Sequence, residues 1–307
     1  MNLLVGATGF VGGHIVEYLF QQGEISKGTF RKGSHLKIMD ASGVQGMEAD
    51  LLDHHSLHEA MEGADTIYNI ASPMPDSDTD FVEVNTEGLL NLLEVATELG
   101  VKTLIHLSTL DVCGFGTREL SESSPVKPVT EYQKGKAEAE RILGESAKRT
   151  PSLRVVIIRA ARAVGSRDES LTIPLLRMIE SGKVVLPGSS SMSFSHPQDI
   201  AQAMYKAATG QVPSGSLYLV KSFDATPEAL SRELVTAVGA EAEVRKEGLF
   251  SKSLLGSYAS EQLKASLAIE AQSGWKQLGY SPVFNSRTTC EEIARWYKKE
   301  PWATDRA

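Results

Sequence analysis

The stretch Leu3-Leu4-Val5-Gly6-Ala7-Thr8-Gly9-Phe10-Val11-Gly12 decides the fold. Its first three residues read as a buried strand. After the glycines, Val11, Ile15, Val16, Leu19 and Phe20 recur at the spacing of one helix face. A glycine-rich turn between strand and helix has a specific use. Gly6 permits the tight turn, Gly9 lets the backbone approach a pyrophosphate, and Gly12 lets the helix pack close to the strand. Three glycines alone are a weak pattern; strand before and helix after make it a dinucleotide loop.

The second strand should end about 20 residues further on, where a carboxylate usually meets the ribose 2′-hydroxyl of NAD. The sequence there is Thr29-Phe30-Arg31-Lys32-Gly33-Ser34, with two cations and no acid. Arg31 and Lys32 suit a 2′-phosphate, so NADP(H) is favoured over NAD(H). The bland alternative is a pair of solvated charges on a surface turn.

Downstream, apolar strand candidates at 66–70, 104–107 and 155–158 alternate with helical patterns at 57–61, 82–99 and 132–145. That alternation predicts an α/β fold, a Rossmann doubly wound parallel sheet covered on both faces. After Gly165 the pattern loosens. Helices near 171–181, 198–208, 227–238 and 290–298 and strands at 184–186 and 217–220 suggest a smaller C-terminal substrate-binding cap. The expected division is a dinucleotide-binding domain over 1–165, receiving elements from about 197–222, with the cap mainly over 166–307. The polar tail 300–307 is expected to fray.

Composition excludes other classes. A net charge of -8 argues against a nucleic-acid surface, and no apolar run approaches a membrane span. The strand begins too early to leave a signal peptide, and Cys113 and Cys290 have neither metal-ligand spacing nor disulfide density. A cytoplasmic setting and a small-molecule substrate are expected.

The chain resembles the extended short-chain dehydrogenase/reductase superfamily, with its NAD-dependent epimerase/dehydratase, 3β-hydroxysteroid dehydrogenase and dihydroflavonol/aldehyde reductase-like branches. Beyond the loop Gly6, Ala7, Thr8, Gly9, Phe10, Val11, Gly12, Asp50-Leu51 is similar to the adenine-contacting pair. Ile70, Ala71 and Ser72 follow Asn69 in the fourth-strand motif, and Asn85 matches a helix asparagine. Tyr132 and Lys136 form the Tyr-xxx-Lys pair, and Phe194 to Asp199 resembles a later motif. The resemblance implies that Thr109 hydrogen-bonds the substrate oxygen, with Ser108 as the alternative. It also implies a homodimer through helices 82–99 and 132–145.

Elementary chemistry agrees. A tyrosine and a lysine four apart share a helix face. A phenol with pKa near ~10 needs a nearby cation to work at neutral pH, and Lys136 is expected to supply it and to reach the nicotinamide ribose. The expected step is hydride transfer coupled to proton transfer through Tyr132.

Departures from the family narrow the reading. Met192 stands where sugar-nucleotide members carry an arginine, and Leu110 precedes Asp111, so one of two dehydratase acids is missing. Ser72, Asp111 and Arg162 are the candidate substrate contacts; Arg162 could equally point to solvent. A small or hydrophobic carbonyl reductase or alcohol dehydrogenase is favoured. A sugar-nucleotide epimerase or dehydratase is the runner-up, and a non-catalytic NADP sensor the alternative from another class. No metal site is expected: His54, His55 and His58 read as surface histidines. Asp76, Asp78 and Asp80 with Glu87 imitate an EF-hand loop, but Phe81 sits where glycine is needed. His196 reads as a packed motif residue.

Overall fold

The computed structural model describes residues 1–24, 26–34, 39, 42–73, 81–116, 118–248, 253–270 and 273–299. Met74, the acids Asp76, Asp78 and Asp80, and the tail 300–307 lie outside the described residues.

Seven parallel strands form the central sheet: β1 (Asn2–Val5), β2 (Ser26–Phe30), β3 (Gln45–Glu48), β4 (Thr66–Asn69), β5 (Thr103–Thr109), β7 (Arg154–Ala160) and β11 (Ser216–Val220). Their order is β11-β7-β5-β4-β1-β2-β3, so the chain reverses direction across the sheet between β1 and β4. Ligands of such sheets bind outside the strand carboxyl ends at that reversal. The register carries the argument further. Val5 pairs with Asn69, Asn69 with His106, and Thr109 with Ala160, so these strand ends open onto one crevice.

Helices cover both faces because the strands are apolar on both. On one side α1 (Phe10–Gln21) and α6 (Pro197–Thr209) bury Ile15, Val16, Leu19, Ile200 and Met204 against the sheet. On the other lie α2 (His54–Met61), α3 (Phe81–Glu98) and α4 (Glu131–Arg149), burying Leu57, Leu89, Leu92, Ile142 and Leu143. The outward faces of α3 and α4 expose Glu87 and Leu90, and Lys134 and Arg141.

The remaining elements are short. β6 (Arg118–Leu120) pairs with β14 (Leu267–Ile269), and β10 (Met192–Ser195) lies between β8 (Arg162–Ala163) and β12 (Phe223–Ala225). β9 (Lys183–Leu186) pairs with β13 (Glu243–Lys246). With α5 (Thr172–Glu180), α7 (Pro227–Val238), α8 (Ser257–Ala265), α9 (Ser273–Leu278) and α10 (Ser286–Lys299) they complete the described elements. Met192 and Phe194 sit inside the apolar core of this part, with Leu176, Leu230 and Ile293. Among the described residues, no helix is long and apolar enough to cross a membrane.

Candidate active site

The glycine loop is held from the neighbouring strand. The Gly6 amide donates to Thr29 Oγ1 at 3.1 Å and the Ala7 amide to the Thr29 carbonyl at 3.2 Å. Gly6 has φ +92°, and a Cβ there would fall 2.8 Å from the Ala71 amide nitrogen. A Cβ at Gly12 would overlap the Gly6 carbonyl oxygen, whereas one at Gly9 would make only ordinary contact, 3.6 Å from that oxygen. Two glycines therefore compress the turn, and the third leaves room above it. Gly9 N-caps α1 without a side-chain hydrogen bond, so no side chain of its own covers the first helical N–H groups.

A cleft of about 510 Å³ runs over this loop. Thr8, Phe10, Val11, Arg31, Ser34, Asp50 and Leu51 line one end; Ile70, Ala71 and Ser72 form the middle wall. The Ser72 hydroxyl is buried there without a partner. Thr109, Tyr132, Lys136, Arg162, Tyr258 and Gln262 line the other end. These features fit a dinucleotide: an open glycine cradle, a helix N-terminus, and a cation at the adenosine end. Two expected contacts fall elsewhere. Lys32 is exposed and outside the lining, with Ser34 beside Arg31 instead. Asn85 is buried, and its amide donates to the Phe81 carbonyl at 2.8 Å, which places it in the α3 packing rather than on the cleft.

Tyr132 stands in the first turn of α4, and the sequence fixes that turn. Thr130 Oγ1 accepts from the Gln133 amide at 3.2 Å while Gln133 Oε1 accepts from the Thr130 amide at 3.3 Å, a reciprocal capping box. Gly135 lets α3 approach; a Cβ there would lie 2.8 Å from the Phe81 carbonyl oxygen. Phe81 then meets the Tyr132 ring edge to face at 5.8 Å.

Lys136, one turn on, is buried, and its ammonium donates to the Leu107 carbonyl at 3.2 Å. Burial pulls its pKa down to about 8, against the opposing pull of Glu140. Thr109 Oγ1 accepts from the Asp111 amide at 3.2 Å, and its hydroxyl also hydrogen-bonds the Asp111 carboxylate. Ser108 is committed: its hydroxyl donates to Glu140 Oε1 at 2.5 Å, and Glu140 also holds Arg159 in a buried ion pair at 2.6 Å.

The electrostatics depart from expectation at Tyr132. Burial raises the phenol pKa above its ordinary value, the Asp111 carboxylate raises it further, and the opposing cation is Arg162, not Lys136. Arg162 is not solvent-facing. Its side chain is 11% exposed, donates to Gln262 Oε1 at 2.5 Å and Ser170 Oγ at 2.8 Å, and lies 3.8 Å from Asp168. Asp111 is buried and accepts from Tyr258 Oη at 2.8 Å and from the Gln262 amide. Tyr258 and Gln262, both on α8, have no counterpart in the motifs read above. Their only sequence signal was a helical face of Tyr258, Ala259, Gln262 and Leu263.

Outside the cleft, Met192 is 3% exposed within the apolar core, so the family arginine it replaces has no open space to fill in this chain. His196 caps α6 through Nδ1 and stacks on Phe284 at 3.6 Å. His54 faces Glu94 and Glu98 at 4.0 and 3.9 Å, all three on the surface.

Comparison with known proteins agrees with this geometry. The chain matches the NAD dependent epimerase/dehydratase family over residues 2–220. Sterol demethylase protein B of Methylococcus capsulatus is 31% identical over 54% of this chain and 52% of its own length. An N-acetyl-alpha-D-glucosaminyl-diphospho-ditrans,octacis-undecaprenol 4-epimerase of Escherichia coli O157:H7 is 31% identical over 62% of this chain and 56% of its own length. A dTDP-glucose 4,6-dehydratase from Streptomyces venezuelae, crystallised with NAD, superposes with a TM-score of 0.82 over 98% of both chains at 20% identity, a likeness of fold. The glycine loop, the parallel sheet and the family match converge: this chain is a member of the NAD dependent epimerase/dehydratase family.

Proposed function

We propose that the chain is an oxidoreductase of extended short-chain dehydrogenase type that uses NADP(H) to interconvert a small or hydrophobic carbonyl compound and its alcohol. The observation that carries the reading is one continuous cleft, with the glycine cradle and Arg31 at one end and Thr109, Tyr132 and Lys136 at the other. When bound, the nicotinamide supplies or accepts the hydride. The chain's own residues handle the proton. Thr109 turns its hydroxyl from the Asp111 carboxylate to hydrogen-bond the substrate oxygen. Tyr132 holds the proton at Oη and passes it to that oxygen in the reductive direction. A phenol kept protonated by burial and by Asp111 begins the reductive half as the proton donor. Lys136 brings a cation to the ribose side of the site.

Cofactor choice rests on Arg31 and Ser34 at the adenosine end. NAD(H) is the second reading, because several solved relatives by fold carry NAD. The same cleft serves an epimerase that oxidises and re-reduces its substrate, and one relative is named as such. Tyr132→Phe is expected to lower turnover by at least ~10²-fold while NADPH binding, read by fluorescence, is unchanged. The assay is a panel of aldehydes, ketones, hydroxysteroids and nucleotide-sugars. Retained turnover would remove Tyr132 from the site, and conversion without net change in nicotinamide absorbance would favour the epimerase.

A further inference from the structure

We propose that Asp111 is a positioning residue: it fastens the cap helix α8 over the cleft and, in opposition to Arg162, sets how readily Tyr132 releases its proton. The inference rests on the reading of Tyr132 as the acid/base group and deepens it. Asp111 follows Thr109 by two residues, and the Thr109 hydroxyl oxygen accepts its amide at 3.2 Å. Its side chain reaches across to α8, where one carboxylate oxygen accepts both the Tyr258 hydroxyl, at 2.8 Å, and the Gln262 amide. Burial raises the Asp111 pKa above its ordinary value, and these two hydrogen bonds work against that in favour of the charged form. The Tyr258 ring packs edge to face on the Tyr132 ring at 5.1 Å. Gln262 passes the chain of contacts on, since its carbonyl oxygen accepts from Arg162 at 2.5 Å. Residues 147 and 151 positions apart thus join the turn after Thr109 to α8, whose Tyr258 ring lies on the Tyr132 ring.

The groups facing Tyr132 come from every side. Asp111 stands on the short 3₁₀ turn Leu110–Cys113, Arg162 on β8, Tyr258 on α8, the uncharged Phe81 on α3, and Lys136 on its own helix. Of these, the Asp111 carboxylate opposes loss of the Tyr132 proton, and the Arg162 guanidinium favours it. Arg162 also favours the charged form of Asp111, so the two act as an opposed pair on one phenol. A shift in α8 that lengthened the Tyr258–Asp111 bond would change the acid strength of Tyr132 as well as the shape of the cleft.

The test needs no substrate. Protein labelled with ¹³Cζ-tyrosine is titrated by NMR, and the Tyr132 signal is the one missing from Tyr132→Phe. Asp111→Asn is expected to move its titration to lower pH and Arg162→Gln to higher pH, each by about one unit. If Asp111→Asn fails to fold, the Arg162→Gln arm decides alone. Titrations that coincide with the wild type would overturn the proposal. A purely fastening role would lower stability or turnover without moving the titration, and that result also counts against it. Activity surviving in Tyr132→Phe would instead defeat the catalytic reading, so the two failures are separable.

Discussion

At the residue scale, the proposed preference for NADP(H) rests almost entirely on Arg31. It follows β2 directly and lines the cleft with Ser34, whereas Lys32 is exposed beyond the lining. A guanidinium there donates to a 2′-phosphate and cannot accept from a 2′-hydroxyl, whereas the Ser34 hydroxyl can do either. Arg31→Ala is therefore expected to weaken NADPH binding by roughly 10- to 100-fold, the equivalent of a charged hydrogen bond. NADH binding should change by less than a factor of ~3. Isothermal titration with both cofactors checks this; equal losses for the two would assign Arg31 to general electrostatics instead.

At the scale of elements, the β1 turn and α1 operate as one unit, and Gly12 is its tightest point. A side-chain carbon there meets backbone rather than a flexible side chain, so the loop must open or α1 must slide. Gly12→Ala is expected to cost on the order of 2–3 kcal/mol of stability and to abolish tight NADPH binding. Urea unfolding and cofactor fluorescence read the two effects separately; near-wild-type values would mean the turn relaxes freely. This element was legible beforehand because its signal is local: glycine, apolar strand and helical spacing lie within twenty residues. Tyr132 and Lys136 were legible for the same reason, sharing a helix face. Of the short strands outside the central sheet, β9 was expected, at 184–186, but the others were not. β8, β10 and β14 span two to four residues and are set by tertiary packing, so neither period had length to show. The Asp111–Tyr258 and Arg162–Gln262 contacts were illegible for a different reason. Each joins residues 100 or more positions apart, and no local spacing announces them.

At the scale of the whole molecule, a buried polar cluster joins the cofactor-side helix to the C-terminal one. His14 of α1 lies 3.2 Å from the Ser166 carbonyl through Nε2 and 3.5 Å from Glu17. Glu292 of α10 accepts from the Ser166 hydroxyl at 2.8 Å and lies 3.6 Å from His196. Arg167, at φ +71°, pairs with Glu17 at 2.7 Å and closes the cluster. Burial, then the Arg167 charge, hold His14 well below its ordinary 6.5. It is neutral in the folded protein, while the unfolded chain takes up a proton below about 6.5. Stability therefore declines as pH falls through that value and goes on declining toward the lowered one. Glu292 adds to the loss further down. Burial works against its charge, yet the nearby His196 ring and the hydrogen bond from Ser166 hold its pKa below the ordinary 4.5, so its contribution is present above 4.5 and vanishes as pH drops through the depressed value. His106, buried in the sheet and pushed well below 6.5 by desolvation, adds a second such histidine, so the expected result is a fall of about 2.8 kcal/mol per pH unit below 6.5, the slope of two protons. His14→Gln should roughly halve that slope between about pH 6 and pH 5, leaving the share of His106, a window in which Glu292→Gln leaves it intact. Urea unfolding at a series of pH values measures both. A wild-type slope that survives in His14→Gln would show that acid enters the fold elsewhere than at this joint.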